Sequence, residues 1–169
     1  MMRRLFSVCL WMLLAAPLVA ATPEAPDQLI ERLSNEVLER IRNDRELQAG
    51  DTKKLNEMVD STVMPHVDFR RMTALSVGRN WRTATPEQQK QLMAEFRGLL
   101  MRTYSGALSS FADQKVRMRP LRANPQDSEV IVRSEVLQPR GEPIQLDYGM
   151  MKAAGGWKIY DVNVLGVWL

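Results

Sequence analysis

The residues able to do chemistry in this sequence are few, and their spacing activates none of them. His66 is the one histidine, and with neither cysteine nor a carboxylate-rich motif beside it, it reads as a structural or surface imidazole rather than a metal ligand. Cys9 is the one cysteine and lies within an N-terminal apolar run, so no thiolate nucleophile or disulfide is expected in the folded part. Neither a G-x-x-x-x-G-K-[ST] phosphate loop nor a G-x-S-x-G elbow occurs. Asp147 and Asp161 fall in strand-patterned segments, where an acid facing an apolar interior can serve as a general base with a raised pKa. Alternation, however, puts Asp147 on the side opposite Ile144, Leu146 and Tyr148. Arg70, Arg71, Arg79 and Arg82 bracket Trp81; guanidinium groups in that number suit phosphate or acidic protein surfaces, although a solvated basic face explains them as well. No catalytic residue and no metal site is assigned.

The N-terminus reads as an address. Arg3 and Arg4 precede the apolar run Leu5–Leu14, Pro17 breaks it, and Leu18-Val19-Ala20-Ala21 offers small residues for cleavage, so residues 1–21 are expected to be a secretory leader and 22–27 a linker. The run is about ten residues, against the roughly 20 that span a bilayer, and no later stretch is longer and uncharged. Residues 28–169 then form a single domain. Without Arg3 and Arg4 the 23 basic side chains become 21 against 20 acidic ones, and the net charge falls from +3 to about +1. So small a charge removes the driving force for non-specific nucleic-acid binding.

Hydrophobic spacing then predicts the elements. Leu29, Leu33, Val37 and Ile41, widened by Ile30 and Leu38, define an amphipathic helix ended by Gly50. A second helix starts near Thr52 and is interrupted by Pro65; a third is capped by Asp68 and stopped by Gly78. Thr85-Pro86-Glu87-Gln88 is a capping box opening a long helix that runs to Phe111. The period then changes from 3.6 to 2. Lys115–Arg122 is a weak edge strand, Val130–Leu137 and Ile144–Met151 alternate around a Pro-Arg-Gly-Glu-Pro turn, and Trp157–Val167 is the last strand. Helices followed by a four-stranded antiparallel meander make an α+β domain, with either a filled core or an open space between its layers.

Three segments together resemble one family. They are Asp68-Phe69-Arg70-Arg71-Met72 through Val77-Gly78-Arg79-Asn80-Trp81-Arg82, then Thr85-Pro86-Glu87-Gln88 into Glu95-Phe96-Arg97-Gly98-Leu99-Leu100-Met101-Arg102-Thr103-Tyr104, and Gly156-Trp157-Lys158-Ile159-Tyr160-Asp161-Val162-Asn163-Val164 with Gly166-Val167. In this order, behind a leader, the sequence resembles the MlaC family, the periplasmic phospholipid-binding proteins of the Mla (toluene-tolerance) lipid-transport system of Gram-negative bacteria. The resemblance implies an NTF2-like fold, its helices on a curved antiparallel sheet, enclosing an apolar cavity for acyl chains. It implies a monomeric periplasmic carrier of phospholipid that maintains outer-membrane asymmetry. Its partners would be an outer-membrane lipoprotein–porin complex and the MCE-domain subunit of an inner-membrane ABC transporter, with transient contact only and no nucleic acid. Phospholipid would be its cargo, with no cofactor. Family members continue in helical sequence where this chain stops at Leu169, so the domain is expected to be C-terminally short.

Covering hydrocarbon requires apolar lining and no catalytic group. The lining is expected from Val63, Phe69, Leu75, Phe96, Leu100, Tyr104, Val132, Leu146, Tyr148 and Val164, each of which would equally serve as ordinary core. Arg70, Arg71, Arg79 and Arg82 are the residues for headgroup or partner contact. The alternatives from other classes are an NTF2-like enzyme acting on a small apolar substrate, which needs an acid or base projecting into the cavity, and a periplasmic chaperone or adaptor, which needs an exposed apolar groove.

Overall fold

The computed structural model describes residues 24–169 apart from Pro125 and Arg140. The expected leader lies outside the described residues. Helix α1 spans Pro26–Asn43, opens on a proline in its first turn, and buries Leu29, Ile30, Leu33, Leu38 and Ile41 along one stripe. Each such side chain is worth about 1.5–3 kcal/mol when fully buried. The helix stops short of the predicted Gly50. Asp44 takes an extended backbone, and its carboxylate accepts the N–H groups of Glu46 and Leu47, which caps a separate helix α2, Arg45–Gln48. Gly50, at φ 78°, ends that short helix instead.

Asp51 caps α3, Thr52–Met58, in the same way. A π-helical turn, Val59–Val63, and a 3-10 turn, Met64–His66, follow before the chain straightens at Val67. Ser61 Oγ bonds back to the Glu57 carbonyl at 2.8 Å within this irregular stretch, a competition with the helical ladder that bends the backbone. Asp68 caps α4, Phe69–Val77, through the Arg71 N–H, and Gly78 ends it at φ 66°. A 3-10 turn, Gly78–Arg82, leads to α5, Pro86–Ser109, where both halves of the predicted capping box are made: Gln88 N–H to Thr85 Oγ1 at 3.2 Å and Thr85 N–H to Gln88 Oε1 at 2.9 Å.

The sheet has five strands, one more than predicted. β1 (Lys115–Met118), β2 (Glu129–Leu137), β3 (Ile144–Ala153), β4 (Gly156–Val164) and β5 (Val167–Trp168) run antiparallel in chain order. The extra strand arises because Leu165 and Gly166, at φ 52° and 91°, turn the chain back on itself, the left-handed pair that a two-residue hairpin requires. The predicted last strand therefore ends at Val164. Val130, Val132, Ser134 and Val136 of β2 face Met150, Tyr148, Leu146 and Ile144 of β3 in one row, and Val162 and Val164 of β4 continue it. Tyr160 is an extra residue in β4, since Gly149 pairs with Asp161 while Met150 pairs with Ile159. The edge of β4 at Ile159 is closed by a parallel bridge from Val67 and by the Asp68 N–H at 2.8 Å.

The helix that lies over β1 and β2 is α1. One core joins Leu29, Ile30 and Leu33 to Met72, Val130, Val132, Met150 and Ile159; a second joins Ile41, Leu47, Leu55 and Met58. No described residue of α5 is fully buried. The backbone at Gly149 is pressed by the Tyr160 ring: a methyl there would sit 3.0 Å from Cζ, and the Arg71 guanidinium lies 3.9 Å from the centroid of that ring. Gly149→Ala should therefore lower stability by about 1 kcal/mol or more in urea titrations. Most of the loss should vanish in a Tyr160→Ala background, and strictly additive losses would show that the ring is not the obstacle.

Candidate functional site

Between the two cores the packing fails to close, and a cavity of about 190 Å³ remains. Helix α1 supplies its floor with Ile30, Leu33, Ser34, Val37 and Leu38. The sheet supplies its roof with Val116 of β1, Val136 of β2, Leu146 and Tyr148 of β3, and Ile159 of β4. Val63, from the irregular turn after α3, and Leu108, near the end of α5, close the sides. Ile30, Leu33 and Ile159 belong to the first core, while Val37 and Leu108 pack against the second, so the space is the seam between them. It slightly exceeds the roughly 150 Å³ apolar void that admits benzene and falls below the roughly 300–1,000 Å³ of sites that bury drug-sized ligands.

The lining is hydrocarbon apart from two hydroxyls, Ser34 and Tyr148, and carries no carboxylate, amine or imidazole. Burial pushes the Tyr148 phenol above its ordinary value, and the hydroxyls of Ser134 and Ser34 beside it offset part of that rise. A phenol held neutral cannot act as a base near neutrality. The ionisable groups stand on the outer face. Glu135 is buried there between Arg117 of the edge strand and Arg119 just past its end, whose hydrogen bonds hold its carboxyl below the usual carboxylate range. Asp147 pairs with Arg133 at 3.7 Å on the same face. Asp161 is half-buried, and burial raises its carboxyl. The imidazole of His66 is lowered by burial and by Arg32 and Lys158, and among the described residues no cluster of His, Cys, Asp or Glu could hold a metal.

Of the residues expected to line a cavity, Val63, Leu146 and Tyr148 do so. Val132 is fully buried in the first core, and Phe69, Phe96 and Leu100 pack against that core, with the Phe69 and Phe96 rings stacked 5.7 Å apart. Val164 is half-buried opposite Leu146, Tyr104 is half-buried outside both cores, and Leu75 is 49 % exposed. The α1 residues of the lining were not among those expected, which drew on the long helix through Phe96, Leu100 and Tyr104 although the α1 stripe was equally legible.

The four arginines do not converge. Arg70 lies 5.4 Å from the ring of buried Trp81 and donates to Gln89, whereas Arg71 spans Tyr160 and pairs with Glu129 at 2.8 Å. Arg79 and Arg82 are exposed and form no ion pair among the described residues.

The Glu135 clamp fixes β1, and with it Val116, to the rest of the sheet. A carboxyl whose folded pKa is depressed contributes stability that is complete above its unfolded value of about 4.3 and is lost as the pH falls through the folded value. Stability of the wild type should accordingly fall more steeply than that of Glu135→Gln on acidification from about pH 5 to pH 3. Parallel curves in denaturant titrations would remove the clamp from the account.

Comparison with known proteins places these features. The MlaC protein family model matches residues 31–169. The chain is 23 % identical over 151 residues to the intermembrane phospholipid transport system binding protein MlaC of Haemophilus influenzae, covering 88 % of this chain and 71 % of that protein. It is 23 % identical over 157 residues to the toluene tolerance protein ttg2D of Pseudomonas putida, covering 92 % and 73 %. Its structure is similar to that of a phospholipid-binding protein from Ralstonia solanacearum solved in complex with a phospholipid, with a TM-score of 0.81, 42 % identity, and coverage of 84 % of this chain and 79 % of that one. With a family model matched over nearly the whole described chain, and with helices on an antiparallel meander as the resemblance implied, the protein belongs to the MlaC family.

Proposed function

We propose that this chain is a periplasmic phospholipid carrier that shelters acyl chain in the seam between α1 and the sheet. The observation that carries the reading is the cavity itself: a wall of hydrocarbon side chains, polar only at two hydroxyls, in a fold similar to that of a protein solved with phospholipid. Water charges about 0.8 kcal/mol for each exposed methylene, so a sixteen-carbon chain represents roughly 12 kcal/mol. Cover of the tails is thus the physical requirement of transport, and the headgroup stays wet. In this reading the carrier exchanges lipid with an outer-membrane lipoprotein–porin complex and with the MCE-domain subunit of an inner-membrane ABC transporter, and so maintains outer-membrane asymmetry. Arg79 and Arg82, exposed and without an ion pair among the described residues, are the groups left for headgroup or partner contact, since Arg70 and Arg71 are engaged within the fold. The enzyme reading requires an acid or base projecting into the cavity, and the lining residues are hydrocarbon apart from Ser34 and Tyr148.

A whole acyl chain needs more room than the seam provides, so loading must part α1 and α5 from the sheet. Helix α5 is the readier to move. It buries no described residue completely, and Arg97 ties it to α3 and the following turn, donating to Asn56 at 2.9 Å and pairing with Asp60 at 2.7 Å. Protein isolated from the periplasm without denaturant should carry phospholipid in native mass spectra, and a lipid-free protein would refute the carrier reading. Leu146→Trp, which fills the seam from a half-buried wall position, should cut bound lipid by about tenfold or more while leaving the far-UV spectrum unchanged. Undiminished loading would place the lipid elsewhere.

A further inference from the structure

Three hydroxyls interrupt the hydrocarbon around the cavity, and shelter of a tail does not require them. Ser34 comes from α1 and Tyr148 from β3, and both line the space. Ser134 comes from β2. It occupies the inward row beside Val136 and opposite Leu146, both of which are lining residues. Ser134 is 1 % exposed, and beyond the neighbouring Tyr148 phenol its Oγ has no hydrogen-bond partner among the described residues. On the pleated face Tyr148 lies diagonally from Ser134, close enough for its long ring to bring the phenol to the serine. Three elements distant in the chain thus deliver an oxygen each to one place in an apolar interior.

A buried hydroxyl without a partner destabilises a fold by about 1–3 kcal/mol, a cost that alanine would avoid at the same position. Hydroxyls differ from the surrounding side chains in being able to donate, and each can turn its proton toward an acceptor that arrives. The acceptor that accompanies hydrocarbon in every diacyl phospholipid is the carbonyl oxygen of the ester joining tail to glycerol. We propose that Ser134, Tyr148 and Ser34 form a polar notch that receives an ester carbonyl of the cargo and so sets the depth to which the tail slides. The notch rests on the carrier reading and adds to it a selectivity: lipid linked by esters is held in preference to lipid linked by ethers, which lacks the carbonyl.

The test loads the full chain from vesicles containing equal amounts of dihexadecanoyl phosphatidylethanolamine and its dihexadecyl diether analogue, and reads the bound ratio by native mass spectrometry. The wild type should be enriched about fivefold in the diester, the worth of roughly one hydrogen bond in a dry site. Tyr148→Phe, which removes a single oxygen, should reduce the enrichment, and Tyr148→Phe with Ser134→Ala should bring the ratio of bound diester to bound diether to parity. If the double variant does not fold, the single variant decides. Equal loading of diester and diether by the wild type, or a preference that survives loss of the hydroxyls, overturns the notch while leaving the carrier reading intact. A diether lipid bearing a mid-chain hydroxyl is the third arm; if it loads as well as the diester, the hydroxyls read an oxygen along the chain and the ester assignment falls. Retention of neither lipid overturns the carrier reading and the notch with it.

Discussion

One stripe of one helix ties the halves of this molecule together. Leu29, Ile30 and Leu33 of α1 enter the core that α1 shares with α4 and the sheet, and Ile41, two turns further on, enters the core that it shares with α2 and α3. Burial of apolar area is non-directional, so such a stripe can serve two partners provided that each meets a different length of it. Between them, around Ser34, Val37 and Leu38, the helix has the sheet above it without enough side-chain volume to fill the gap. The seam follows from that division, because a helix held at both ends by separate cores cannot settle onto the sheet in the middle.

The remainder of the fold keeps the seam from collapsing or tearing. Glu135 holds the short edge strand through two arginines, and β1 brings Val116 to the roof. At the other side Val67 and Asp68 occupy the hydrogen-bonding edge of β4 beside Ile159, another roof residue. The bulge at Tyr160 and the absence of a side chain at Gly149 let the outer face carry an Arg71–Tyr160–Glu129 cluster without disturbing the inward row. Charge is thus kept on the outer face, and the cavity lining is apolar apart from the hydroxyls of Ser34 and Tyr148.

Much of the architecture was legible because its causes are local. The capping box at Thr85, the Asp68 cap, the stop at Gly78 and the alternation of β2 and β3 each depend on residues within a few positions of one another. Where the reading departed from the structure, the competing cause was also local and subtle. Asp44 restarted a helix that periodicity alone carried on to Gly50, and Leu165, an unusual residue for a left-handed turn, made a hairpin where only Gly166 signalled one.

The candidate site divides along the same line. Apolar alternation marked Leu146 and Tyr148 as inward-facing, and family resemblance supplied the expectation of a cavity; both follow from sequence by itself. Which helix would meet those strands did not, since an apolar stripe on a helix does not name the partner it will cover. Nor could periodicity show that Ser34, Ser134 and Tyr148 would come together, or that Leu75 would stand exposed. A cavity is a deficit of volume among elements that are far apart in sequence, and only the summed packing of all of them decides whether side chains fill it.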